Sequence, residues 1–140
     1  MNLAEVILEV GKSSPQDLAE ALEGKVDEKE VAKIRLESAK FYLEQAELNM
    51  SLPAAASEDL YKAILEGMKS LKSYLGISED LRNAIPKISD ILGDWIDEAW
   101  ELGLKLHYEG YISENFEESD LQFYFVKVER FIENCEIAIS

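Results

Sequence analysis

From Gly93 to Tyr111 the chain reads GDWIDEAWELGLKLHYEGY, a stretch that holds both tryptophans, the only histidine and two of the six tyrosines. Residues three and four apart share one face of a helix. Ile88, Leu92, Trp95, Ala99, Leu102 and Leu106 keep that step and predict the seam of a packed bundle. Trp100, Leu104, His107 and Tyr111 keep it on a second face, and Asp94, Glu98, Glu101 and Lys105 fall on a third that should meet water. Between the apolar columns lie Ile96, Gly103 and Gly110, each seven residues from the last. A glycine inside a helix costs about 1 kcal/mol against alanine, so two in one column mark Gly103 and Gly110 as sites where another backbone packs closely. Apolar over more than half its girth, the stretch is expected to be the central helix, its seam running unbroken across Gly93.

The rest of the chain supplies partners of the same kind. Leu3, Val6, Ile7 and Val10 give one short amphipathic helix ahead of Gly11, and Ser14-Pro15 caps and opens a second that ends by Gly24. These form an N-terminal helical appendage over residues 1–26, ahead of a bundle over 27–140 within one domain. Asp27 with Glu30 opens a long helix to about Met50, with Ala32, Leu36, Ala39, Leu43, Ala46 and Met50 on its core face. Its back carries Ile34, Phe41 and Leu48, which either the appendage or a second subunit must cover. The short Ser51-Leu52-Pro53 link makes the next helix antiparallel. That helix places Leu60, Ile64, Gly67, Met68, Leu71 and Leu75 inward and Glu58, Lys62, Glu66, Lys69 and Lys72 outward, ending at Gly76. A short segment from Ser78 is expected to break or restart at Pro86. Ser119 and Gln122 read as the capping pair of a last helix with Leu121, Phe125, Val128, Ile132, Cys135 and Ile139 as core. No alternating β-type run occurs, so the reading is all-α: an antiparallel four- or five-helix bundle.

Charge and composition remove several functions. The chain carries 29 acidic against 14 basic residues, a net charge of -15, and nucleic-acid binding rests on Lys and Arg neutralising phosphates. Neither a nucleic acid nor an anionic membrane is an expected partner. MNLAEVILEV lacks a basic start and places Glu5 within its apolar run, so neither a signal peptide nor a membrane span is expected. The lone Cys135 has no partner for an internal disulfide, consistent with a cytoplasmic location. One histidine and one cysteine leave zinc without ligands, and Leu104 three residues before His107 breaks the Glu-x-x-His pair of a di-iron bundle. No phosphate loop, dinucleotide fingerprint or serine elbow occurs. The acids Glu114, Glu117, Glu118 and Asp120 lack EF-hand spacing and read as a solvated helix start. No metal and no cofactor is expected.

His107 is the one side chain suited to acid–base work near neutral pH. It reads either as a packed interface histidine or as part of a pocket or interface with Trp100, Leu104, Tyr111 and Tyr61.

Three motifs carry a family resemblance: Ala56-Ser57-Glu58-Asp59-Leu60-Tyr61-Lys62-Ala63, Leu106-His107-x-x-Gly110-Tyr111, and Val128-Glu129-Arg130. Together they resemble the archaeal PaREP family, which is similar to HEPN-type helical bundles, over about residues 30 to 138. A second histidine often follows the aromatic residue in that family; here Ile112 stands there. HEPN-type ribonucleases carry an arginine, then four to six residues, then the histidine; at those offsets this chain has Leu102, Glu101 and Trp100. The resemblance therefore implies a non-catalytic bundle that binds a nucleotide, another small ligand or a partner protein such as a nucleotidyltransferase. The competing expectation is a ribonuclease or nucleotide-processing enzyme using His107. A homodimer is also expected, through the Trp100 face or the Ile34, Phe41 and Leu48 face, since exposed apolar columns favour association.

Overall fold

The computed structural model describes residues 14–140; the helix expected around Leu3 to Val10 lies outside them. Six α-helices and one π-helical segment make up the described chain: α1 (Pro15–Leu22), α2 (Glu28–Leu48), α3 (Pro53–Leu75), α4 (Leu81–Leu92), α5 (Trp95–Lys105), the π segment Leu106–Ile112, and α6 (Glu118–Ile139). No strand occurs among the described residues, and the fold is an all-α bundle.

Local chemistry sets most boundaries. Ser14 Oγ accepts a hydrogen bond from Asp17 N and Asp27 Oδ1 one from Lys29 N, satisfying amides that a helix start leaves free. Gly76 ends α3 in the left-handed region at φ 68°, where glycine carries no β-carbon penalty. The α2–α3 hairpin is antiparallel. Ser70 Oγ donates to Ala32 O at its open end, and Asn49 Nδ2 donates to Asp59 near its turn. Ala32, Ala39 and Ala46 are all buried on the α2 face.

The structure moves the centre of the bundle from the stretch around Trp100 to α3. That helix packs against α2, α4, α5, the π segment and α6. Its buried set includes Ser57, Glu66, Gly67 and Ser70 among the apolar residues. Small and polar residues at a buried helix surface do not register as an apolar stripe, which hid how much of its girth is covered. On α5 the deepest line is Ile96, Ala99, Gly103, Leu106 and Gly110. The two apolar columns flank it, with Trp95, Leu102, Trp100, Leu104 and His107 only half-buried and Tyr111 exposed.

Two further expectations are corrected around Pro86 and Gly93. Pro86 lies inside α4 without breaking it. Pro86 and Arg82 both face solvent, so water can take the carbonyl that the missing proline N–H would have bonded. The break comes instead at Gly93, whose φ of 116° belongs to a backbone region that side chains avoid. Trp95 Nε1 donates to Leu92 O across this corner at 2.8 Å, so the indole itself ties α4 to α5. At the other end, Glu117 and Asp120 rather than Ser119 and Gln122 form the capping box of α6.

One core runs through α2 to α6, and a small second one holds Leu22 and Val31 with Leu18, Ala21, Val26 and Ile34. Thus α1 covers Ile34 on the back of α2. Phe41 lies at the edge of exposure and Leu48 is open to solvent.

Candidate functional site

The first two sequence motifs meet. Ser57, Glu58 and Tyr61 stand on one face of the N-terminal half of α3, and Leu106, His107 and Gly110 of the π segment dock against them. Ser57 Oγ donates to Leu106 O at 2.6 Å. A β-carbon on Gly110 would fall 1.9 Å from that same hydroxyl, so the contact exists only with glycine there. A β-carbon on Gly103, one step back, would sit 3.3 Å from Ile64 Cγ2 and 3.6 Å from Tyr61 Cδ1. The wider π turn carries the chain on to Ser113, whose amide bonds to Tyr108 O at a spacing of five residues. Such turns recur at functional positions.

His107 is held on several sides. Its Nδ1 lies 2.8 Å and 3.1 Å from the two oxygens of Glu58. An ionised carboxylate only accepts, so Nδ1 carries the proton and donates, and in the neutral ring Nε2 is the free nitrogen. The Tyr61 ring lies 4.5 Å from the imidazole, Tyr111 stacks at 5.9 Å, and Tyr108 meets it edge-on at 4.9 Å. Burial, then the charge of Glu58, push the Tyr61 phenol above its ordinary range. A carboxylate-oriented imidazole is a competent general base in chemical terms. None of these contacts is cationic.

The five residues read from sequence as a pocket or interface are therefore split. Tyr61, His107 and Tyr111 are brought together, whereas Trp100 and Leu104 are half-buried on the preceding turns and neither joins the ring stack. Glu58 and Tyr108 complete the cluster and were missed. By spacing alone Glu58 falls in the solvent column with Lys62, where the four-residue step offers a local partner. Its actual partner is 49 residues away. Glu66, placed in the same column, is buried at 1% exposure and bonds Arg35 at 2.9 Å. The residue types alone could have flagged a Glu–His pair, but only the helix register selects it.

The surface beside His107 exposes large apolar side chains, interrupted by the exposed Glu109. Tyr108, Tyr111 and Ile112 are 58%, 46% and 57% exposed, and Leu48 and Leu52 stand out beside the α2–α3 turn at the same end of α3. These five are half of the ten large hydrophobic side chains exposed in the described chain. Among the described residues no group of three or more His, Cys, Asp or Glu side chains could hold a metal ion. No described helix is long and apolar enough to cross a membrane.

Fold and site define an all-α bundle packed around α3 that carries a carboxylate-backed histidine on a π-helical segment. The chain belongs to the archaeal PaREP1/PaREP8 family, whose sequence model matches residues 34–132. That span contains all three motifs and leaves α1 outside it. No curated protein and no solved structure matches the chain.

Proposed function

We propose that the protein works by association rather than by catalysis, docking a second copy of itself through the apolar surface over His107. The observation that carries this reading is how the motif residues are used. Ser57, Glu58, Tyr61, His107 and Gly110 are engaged in fixing the π segment against α3. What that lock displays is Tyr108, Tyr111 and Ile112. Exposed aromatic side chains on a rigid base are good interface anchors. A two-fold pair is the commonest way to bury one apolar patch on a soluble chain.

Sedimentation equilibrium at micromolar concentration tests it. The chain should run at about twice its 15.9 kDa mass, and Ile112→Glu, at an exposed position, should return it to monomer without loss of helicity. A monomeric wild-type chain rejects the reading.

The Glu58–His107 pair supports a second reading, acid–base processing of RNA or a nucleotide through His107 Nε2. Incubation with RNA and with ATP, with and without divalent metal, decides between them. Metal-independent cleavage abolished by both His107→Ala and Glu58→Gln would establish the enzyme and displace the association reading.

A further inference from the structure

On the other flank of α5 from His107, α5 and α6 splay apart and touch only sparsely. Between them opens a cavity of about 530 Å³, within the range of roughly 300–1,000 Å³ that small-molecule sites occupy. Ile64 of α3 contributes to its lining, with Trp95, Ala99 and Leu102 from α5 and Phe131 from α6. These walls are set before anything binds. The Trp95 indole is fixed by its bond to Leu92 O and lies 5.9 Å from the Phe131 ring. Phe131 in turn rests on Gly67, where a β-carbon would come within 2.6 Å of the ring. At the rim Phe123 and Val126 are 59% and 53% exposed, apolar surface that an occupant would cover.

The polar lining is cationic in a strongly acidic chain. Lys127 and Arg130 both border the cavity, against the single carboxylate of Glu98. Neither cation has an ion-pair partner among the described residues. Lys127 instead lies over the Phe123 ring, 4.7 Å from its centroid. We propose that this groove binds a small aromatic or aliphatic monoanion, its apolar body against Trp95 and Phe131 and its acid group at Lys127 and Arg130. Two cations against one carboxylate leave one positive charge, which suits one negative charge and not the two of a phosphomonoester. Glu129 and Glu133 stand beside Arg130 on the same helix, but both are exposed and neither lines the groove. The site is separate from the surface over His107 and stands whether or not that surface forms a dimer.

Two probes of nearly the same shape test the assignment: the monoanion 1-anilinonaphthalene-8-sulfonate and its uncharged parent, N-phenyl-1-naphthylamine. The intact chain should bind the anion at least about tenfold more tightly than the neutral probe. Arg130→Gln should weaken the anion by about tenfold, the usual worth of a charge-assisted hydrogen bond, and leave the neutral probe within about twofold. Val126→Glu, at an exposed rim position, should abolish anion binding with the fold intact by circular dichroism. Equal affinity for the two probes, or no effect of Arg130→Gln on the anion, would overturn the proposal. So would loss of anion binding in Ile112→Glu with retention in Arg130→Gln, which puts the probe on the His107 surface. AMP displacing the probe better than 1-naphthalenesulfonate would overturn the monoanion class in favour of a nucleotide.

Discussion

Gly110 has no room for a methyl group: Ser57 Oγ, Ser57 Cβ and Phe116 Cδ2 would lie 1.9, 2.8 and 2.7 Å from it. Gly110→Ala should therefore destabilise the fold by about 2 to 3 kcal/mol, even though alanine is the better helix former. At Gly103 the nearest atom, Ile64 Cγ2, would lie at 3.3 Å and need give only a few tenths of an ångström, so Gly103→Ala should cost less than about 1 kcal/mol. Urea titration of both variants checks the order. If the Ser57 contact is the cause, Gly110→Ala should hurt less in a Ser57→Gly background, by about 1 kcal/mol. Strict additivity would assign the cost to Phe116 instead. Tyr61 offers a pH signature at the same place. Its phenol is raised above the ordinary 10.0 by burial first and then by Glu58 and Tyr108. The folded state thus holds the proton more tightly than the unfolded one, so the contribution is intact below about pH 10 and is lost as pH rises through the folded value. The stability gap between wild type and Tyr61→Phe should accordingly shift in favour of the phenylalanine variant between about pH 8 and pH 10.5, read by urea melts at each pH.

Helices α2 and α3 are joined by a buried ion pair. Arg35 and Glu66 are 3% and 1% exposed, with Glu23 at 2.8 Å on the second guanidinium nitrogen and Lys69 at 3.5 Å from Glu66. Burial works to lower the Arg35 pKa, but the hydrogen bond to Glu23 and the charge of Glu66 outweigh it and leave it raised. Breaking such a pair strands a buried charge, so Arg35→Met alone should cost about 3 kcal/mol, the low end of the usual range because Lys69 is near. Arg35 Nε finds no partner. The network is thus imperfect, and Arg35→Met with Glu66→Leu should be within about 1 kcal/mol of wild type or more stable. Chemical denaturation of the two single variants and the double variant decides it. The same pair shows what sequence can and cannot carry at this scale. The core columns of α2, α3 and α6 were legible because Ala32 to Ala46, Leu60 to Leu71 and Leu121 to Ile139 repeat by three and four, and burial follows that repeat. Glu58 and Glu66 were not, since a polar residue in a helix reads as solvent-facing unless its distant partner is known. Nor was the π turn, which brings Gly110 against Ser57 of α3. Tyr61, His107 and Tyr111 of the five-residue cluster were therefore visible in the sequence, whereas Tyr108 and the Glu58 that orients the imidazole were not.

At the level of the whole molecule, an apolar patch and a large net charge oppose each other. Each chain carries a formal charge of -15, so pairing two copies sets like fields against each other, while burying Tyr108, Tyr111 and Ile112 favours contact. A buried side chain of this size contributes roughly 1.5–3 kcal/mol, and the repulsion acts over a distance set by salt, about 30 Å at 0.01 M and about 10 Å at 0.1 M. The two terms separate by ionic strength. Apolar burial is nearly indifferent to moderate salt, whereas self-repulsion fades as the screening length falls below the size of the chain. Association of this protein should hence strengthen as sodium chloride rises from about 20 mM to about 300 mM, the reverse of an interface held by opposite charges. Sedimentation equilibrium across that range measures the dimer constant directly. A constant that falls with salt would mean that ion pairs hold the copies together. The basic residues to test would then be the exposed Arg82 and Lys62, and the π-segment surface over His107 would lose its claim to be the interface.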